Sequence, residues 1–217
     1  MSSLPLIVVG GAGHAKVLVS TLLLQQERLL GFLELNLTLP SLLGVPHLGD
    51  DRMVLLHTPA QVRLVNGVGC VGSTNLRQTV YERFRTMEYI FRAVIHPSAV
   101  IAPDVHMDQG VQIMAGAIVQ PGSWLGENVI INTGARVDHD CTIDAHAHVG
   151  PGATLSGNVY VGSGAYIGAG STVIQGIKVA PGAIVGAGAV VVRDVPAGVT
   201  VVGVPAVPLK KPLAFRQ

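Results

Sequence analysis

The sequence predicts a small Rossmann-like parallel α/β unit over residues 1–92, then a parallel β-helix of hexapeptide repeats over 93–196, then a tail over 197–217. Three observations predict it. From Ile95 to Pro196 an unbroken six-residue register runs, and its first position is aliphatic or Met in all seventeen hexads. The fourth position is Gly in ten hexads and Ser, Asp or Asn in six more, His146 being the exception. Before residue 93 the pattern changes to short apolar runs alternating with helical segments.

Leu6–Val9 reads as a buried strand running into Gly10-Gly11-Ala12-Gly13-His14 and a helical stretch over Ala15–Leu24. A second strand, Leu29–Leu33, ends at Glu34, and Pro40, Gly44 and Pro46 mark a loop. Arg63–Val71 reads as a third strand and Thr74–Met87 as a helix started by Ser73 or Thr74. Strand alternating with helix predicts a parallel sheet.

A period of six fits neither a helix nor a single strand; it describes a short strand and a corner, repeated. Gly, Asn and Asp tolerate positive φ, so position four is the corner. Three segments close a triangular coil of about eighteen residues. First-position aliphatics and small fifth-position residues stack inside. The seventeen hexads build nearly six coils, roughly 27 Å of stack at the parallel-strand spacing.

This repeat explains a composition of 49% hydrophobic, 12% charged and 4% aromatic residues. No uninterrupted apolar run is long enough for a membrane span. Apolar residues expected at outward positions (Val111, Ile118, Ile130, Val190 and Val192) suggest a face that packs against copies of the chain, most simply a homotrimer. Two cysteines make no disulfide framework, and Cys141 falls at an inward fifth position. A net charge of +1 without a basic block leaves no footprint for nucleic acid. No basic region precedes the first apolar run, so a cytoplasmic protein is expected.

Residues eighteen apart stack on one corner, so the register is also a map. His139 is an outward third-position residue with Pro121 below and Gly157 above. Gly157 is the only Gly at a third position, which leaves space beside the imidazole and a backbone N–H that an oxyanion could use. Asp138 and Asp140 flank it, although Asp140 is also an ordinary corner residue and an exposed His is often merely solvated. His146 reads as structural, and His96 and His106 as remote from this cluster. No two of His96, His106, His139, His146 and His148 are separated by a multiple of eighteen, so no metal site is expected. Gly11-x-Gly13 before a helix suits an anion. Lys16 replaces the third dinucleotide glycine, so a nucleoside diphosphate fits better than NAD. Glu34 is placed to contact a base or ribose, or is a solvated strand end.

Several motifs in order resemble one family: Gly-Gly-Ala-Gly-His-Ala-Lys at 10–16, Gly31-Phe32-Leu33-Glu34, Gly72 with Arg77, Asn132-Thr133, His139-Asp140-Cys141, His148 and Gly203-Val204-Pro205-Ala206. The chain resembles the acetyl-CoA-dependent nucleotide-sugar 4-amino N-acetyltransferases (bacillosamine and perosamine types) and the similar sialic acid O-acetyltransferases of bacterial surface-glycan biosynthesis. The resemblance implies a trimer, a left-handed β-helix, His139 as general base and Asp140 as its partner. It implies acetyl-CoA contacts at His148, Gly157, Ala169 and Ala187, and a sugar-nucleotide pocket at Ala12, Gly13, His14, Glu34, Gly72 and Asn75. Leu35 stands where many relatives have a second acid, and Ser73-Thr74 follow Gly72 where relatives often carry Asn or Asp. Both departures touch the nucleotide pocket, and the base stays open. The expected reaction is direct acetyl transfer to the 4-amino group of a nucleotide-linked 4-amino-4,6-dideoxy sugar. The alternatives are O-acetylation of a sialic acid and a non-catalytic β-helix scaffold.

Overall fold

The structure, a computed structural model, describes residues 4–35, 40–70 and 72–209. Five strands and two helices form the amino-terminal layer: β1 (Leu6–Val9), α1 (Gly13–Leu24), β2 (Leu29–Leu33), β3 (Ser41–Leu42), β4 (Val45–Gly49), β5 (Arg63–Asn66) and α2 (Asn75–Thr86). The sheet order is β3-β4-β2-β1-β5, parallel except for the β3–β4 pair. Alternation along β1 sends Leu6 and Val8 into the core beneath α1, and Ile7 and Val9 into the core beneath α2.

Three expectations change here. The loop marked by Pro40, Gly44 and Pro46 is a hairpin, because Leu43 and Gly44 both take positive φ and make a two-residue turn. The third strand stops at Asn66 rather than Val71, because the Asn66 side chain accepts the Val68 N–H and turns the chain out of the sheet. Val71 itself, like Lys210 and Lys211, lies outside the described residues. The second helix is Asn75–Thr86 with Thr74 at its N-cap, but the Thr74 hydroxyl makes no capping bond and donates instead to Gly164 O at 3.0 Å, while Ser73 Oγ accepts the Asn75 N–H at 3.3 Å.

The hexads form two-residue strands on three parallel faces, each residue pairing with the one eighteen positions on, as Ile118 pairs with Arg136 and Trp124 with Thr142. Positive φ marks all ten fourth-position glycines and Asn128, Asp140, His146 and Asn158. The core is a column of first- and fifth-position side chains, Cys141 among them. The stack continues past residue 196, where Thr200–Val202 adds to the face of Ile184–Val185. The eighteen-residue spacing, however, ends after Val191: Val179 pairs with Val195 and Ile184 with Thr200, each sixteen residues apart, so the register shortens by two inside the last expected hexad.

The α/β layer sits on the face carrying Val94, Gln112, Ile130 and His148. Two apolar residues expected to face outward are buried, each for its own reason. Val111 is a fifth-position residue inside the prism, and Ile130 is fully buried on the face that carries the layer. Ile118 and Val190 are half-buried and Val192 is exposed on a different face.

Candidate functional site

A cavity of about 1290 Å³ opens between the amino-terminal ends of α1 and α2. Ala12 caps α1 without a side-chain hydrogen bond, and no acid occupies the first turn. The positive end of the helix dipole thus faces the cavity. A Cβ on Gly13 would meet nothing within 4 Å, so open room stands beside this turn. Gly10 has φ +106° and its added Cβ would lie 3.1 Å from the Gly67 carbonyl carbon, so only glycine lets the loop pass the β5 end.

Ala12, Gly13, His14, Glu34 and Asn75 all line this cavity; Gly72 does not. Gly72 is buried, with φ +70°, in the turn before α2. Glu34 accepts the N–H of Gly11 and of Leu35, each at 3.0 Å, and so braces the glycine loop while leaving each oxygen a second lone pair. The cavity also takes Cys70, Asp51 and Arg83. No spacing in the sequence announces them: Arg83 on α2 meets Asp51 only through an ion pair made by the tertiary fold.

The prism supplies the floor through Asn132 and His148. His148 is buried, with Nδ1 2.7 Å from Cys70 Sγ and Nε2 3.0 Å from the Asn132 amide nitrogen. An amide donating to Nε2 leaves the proton on Nδ1, directed at sulfur. His14 Nε2 lies 2.7 Å from Gln112 Oε1, and Gln112 Nε2 donates to Asn66 O at 2.8 Å. Arg77, wholly buried, donates to Asn66 O at 2.8 Å and Val68 O at 2.9 Å. These bonds lock the cavity wall to the prism.

Burial, reinforced by the Arg77 cation, pushes His14 down to about 4. Burial, then His14 and Arg77, push His148 down to about 3. Burial lifts the Cys70 thiol to about 11, so Cys70 and His148 form a neutral pair rather than a thiolate and an imidazolium. The linkage sign follows. Unfolded histidines gain protons below about pH 6.5, while the folded ones stay neutral until about 4 and 3. Stability present above pH 6.5 is expected to fall by about 1.4 kcal/mol per pH unit for each histidine as the pH drops through that window. Urea midpoints measured against pH check this. His148→Gln should flatten the acid slope by about one proton, and an unchanged slope would refute it.

His139 stands elsewhere. Successive corners of one coil carry Thr133-Gly134, His139-Asp140 and Ala145-His146. The imidazole is half exposed, and its Nδ1 lies 2.8 Å from Asp140 Oδ2. An ideal Cβ on Gly157 would fall 2.4 Å from His139 Nε2 and 2.5 Å from Cε1. The space expected beside the imidazole is thus filled by the ring itself, lying against bare backbone. The Asp140 hydrogen bond is the largest cause of a raised His139 pKa; slight burial opposes it and the Asp138 and Asp140 charges add to it. Asp140 holds φ +59°, so it makes the bend and the hydrogen bond together.

Ala169 and Ala187 are exposed and stack eighteen apart, as the Gly188 N–H to Ala169 O bond of 2.9 Å shows. They occupy the corner that carries Thr133, one full face away from the His139 corner. His139, Asp140, Gly157, Ala169 and Ala187 do not line the cavity, whereas His148 does. His146 is a buried corner residue with φ +63°, its Nδ1 3.1 Å from the Asn128 amide nitrogen. Among the described residues no group of three His, Cys, Asp or Glu could hold a metal ion. No described helix is long and apolar enough to cross a membrane.

Residues 122–157 match the family described as Bacterial transferase hexapeptide (six repeats). A histidine-to-asparagine mutant of perosamine N-acetyltransferase from Caulobacter crescentus, solved with CoA and GDP-perosamine, is 39% identical. The match covers 95% of this chain and 97% of that one, with a TM-score of 0.89. PerB from the same organism, with the same two ligands, is 40% identical over 94% and 97% of the chains, with a TM-score of 0.87. The acetyltransferase domain of PglB from Neisseria gonorrhoeae FA1090, in complex with acetyl coenzyme A, is 37% identical over 94% and 98%, also at 0.87. Comparison with curated protein sequences gives no match. A prism of stacked hexads, a parallel α/β layer docked on one face and this identity over nearly the whole length place the chain in the left-handed β-helix, hexapeptide-repeat acetyltransferases, the family that includes GDP-perosamine N-acetyltransferase.

Proposed function

We propose that the chain is an acetyl-CoA-dependent N-acetyltransferase acting on the 4-amino group of a nucleotide-linked 4-amino-4,6-dideoxy sugar. The observation that carries this reading is the His139 imidazole, tied through Nδ1 to Asp140 and left with its Nε2 lone pair. An amine attacks a thioester only when neutral, so a proton must leave it. Nε2 accepts that proton as nitrogen bonds to the acetyl carbon, and the Asp140 carboxylate stabilises the imidazolium. Collapse of the tetrahedral intermediate expels the CoA thiolate, which takes the proton back from His139. No acyl-enzyme is needed: Cys141 is buried in the prism, and Cys70 is a neutral thiol against His148.

The α/β cavity receives the sugar nucleotide, with Ala12, Gly13 and His14 around the diphosphate at the α1 terminus and Glu34 and Asn75 further along the wall. His148, Gly157, Ala169 and Ala187 contact acetyl-CoA. Within one chain His139 and the alanine column are on different corners. A homotrimer resolves this, with the His139 corner of one subunit facing the alanine corner and cavity of its neighbour.

A thermal-shift panel of acetyl-CoA, UDP, GDP and dTDP tests the reading. Stabilisation by acetyl-CoA and by one nucleotide is expected. Acetyl-CoA alone would indicate the O-acetyltransferase, and no shift at all a scaffold.

A further inference from the structure

Gly122 is a corner residue with φ +74°, one coil below Asp140. Its conformation alone does not demand glycine, because Asn158 holds φ +55° at the same corner and Asn128 holds φ +60° at another. The space above it does. An ideal Cβ on Gly122 would fall 2.4 Å from Asp140 Oδ1 and 3.4 Å from Asp140 Cγ. By contrast, a Cβ on Gly182, φ +65° at the corner of Asn128, would meet nothing within 4 Å. The backbone of Asp140 cannot retreat, because its N–H donates to Pro121 O at 2.9 Å. Its side chain is 66% exposed, so rotation into solvent is the easy relief. That rotation breaks the 2.8 Å bond to His139 Nδ1.

We propose that Gly122 is a positioning residue for the acetyl-transfer reaction: its missing side chain is the seat that holds the Asp140 carboxylate against His139. This rests on His139 and Asp140 forming the catalytic pair. With the seat filled, the fold loses only an exposed contact, while the imidazole loses the acceptor that fixes its Nδ1–H tautomer and orients Nε2. Asp138 stays near the ring, its Oδ1 accepting the His139 N–H at 2.8 Å, and Asp104 lies below, accepting the Gly122 N–H at 2.9 Å. Neither acid is hydrogen-bonded to the imidazole.

The test needs no substrate in its first arm. The His139 imidazole is titrated by NMR in the wild-type chain, Asp140→Asn, Gly122→Asn, the double variant and the control Gly182→Asn. Gly122→Asn should titrate at lower pH than wild type, as Asp140→Asn does. The double variant should add no further shift, and Gly182→Asn should titrate as wild type. In the second arm, kcat with acetyl-CoA and GDP-perosamine as probes should fall about tenfold or more for Gly122→Asn at unchanged acetyl-CoA KM. The acid limb of its pH profile should move to lower pH. If Asp140→Asn shifts the titration and Gly122→Asn does not, the seat is overturned while the catalytic pair stands. If Asp140→Asn titrates as wild type, the pair fails and the seat with it. Should Gly122→Asn not fold, Gly122→Ala carries the same Cβ without the amide, and the same two outcomes apply.

Discussion

Replacing His139 with alanine lowers kcat about 10²–10⁴-fold, the contribution of a positioned general base. Binding of acetyl-CoA, read as a thermal shift, stays. The imidazole is half exposed and is not part of the apolar core, so its removal leaves the stack intact. The expected loss falls on kcat and on kcat/KM alike, because the proton moves only as the bond to the acetyl carbon forms. The profile against pH gives a second handle. A base must be unprotonated to act, so wild-type activity rises with pH through the His139 pKa. The Asp140 hydrogen bond lifts that pKa above the ordinary value. A His139→Ala chain should have lost this limb altogether. Full acetyl transfer by the variant would dismiss the assignment.

Gly157→Ala gives the second large loss, with every catalytic side chain still present. Gly157 has no positive φ, so alanine suits its backbone. The obstacle is the ring: the new methyl would lie 2.4 Å from Nε2, the atom that must accept the proton. Restoring a contact of about 3.5 Å moves the imidazole by about 1 Å. A displacement of that size at the reacting atom costs about 10²-fold in kcat. Near-UV circular dichroism and melting temperature should match the wild type, and His139 should still titrate. A variant with native kcat would mean that the ring rests elsewhere during turnover.

The prism was legible because its period encodes direction. Six residues per side sort every side chain into inward, corner or outward, so the period alone names Gly157 as the neighbour of His139. The outward expectation for Val111 went against that map, whose fifth position points inward; Ile130 is the map's own miss, an outward residue on the face that the α/β layer covers. A periodicity cannot say which face a separate layer covers. The cavity was legible only at its glycine loop. Asp51 and Arg83 come together from a 3₁₀ turn and a helix that share no pattern. Asn66 lies beyond pattern reading too: one buried amide both ends a strand and bonds to Asn128 on the prism. Asp140 shows the limit of choosing between roles, since the corner geometry that suggested a structural residue is what aims its carboxylate at His139.

Stacking by eighteen, seen in pairs such as Arg136 with Thr154, also bears on how such a chain can change length over generations. Inserting or deleting a single residue between His139 and Gly157 turns every later inward side chain toward water. A whole hexad restores the core but rotates all later residues by one corner, so a different third-position residue comes to lie over the imidazole. Only a full coil keeps the face order. Such a coil inserted between these two residues would still put a new third-position residue against the ring and move Gly157 one coil away. This part of the sequence can therefore drift by substitution but is closed to insertions, whereas the hairpin at Leu43 and Gly44, at the sheet edge, is free to grow.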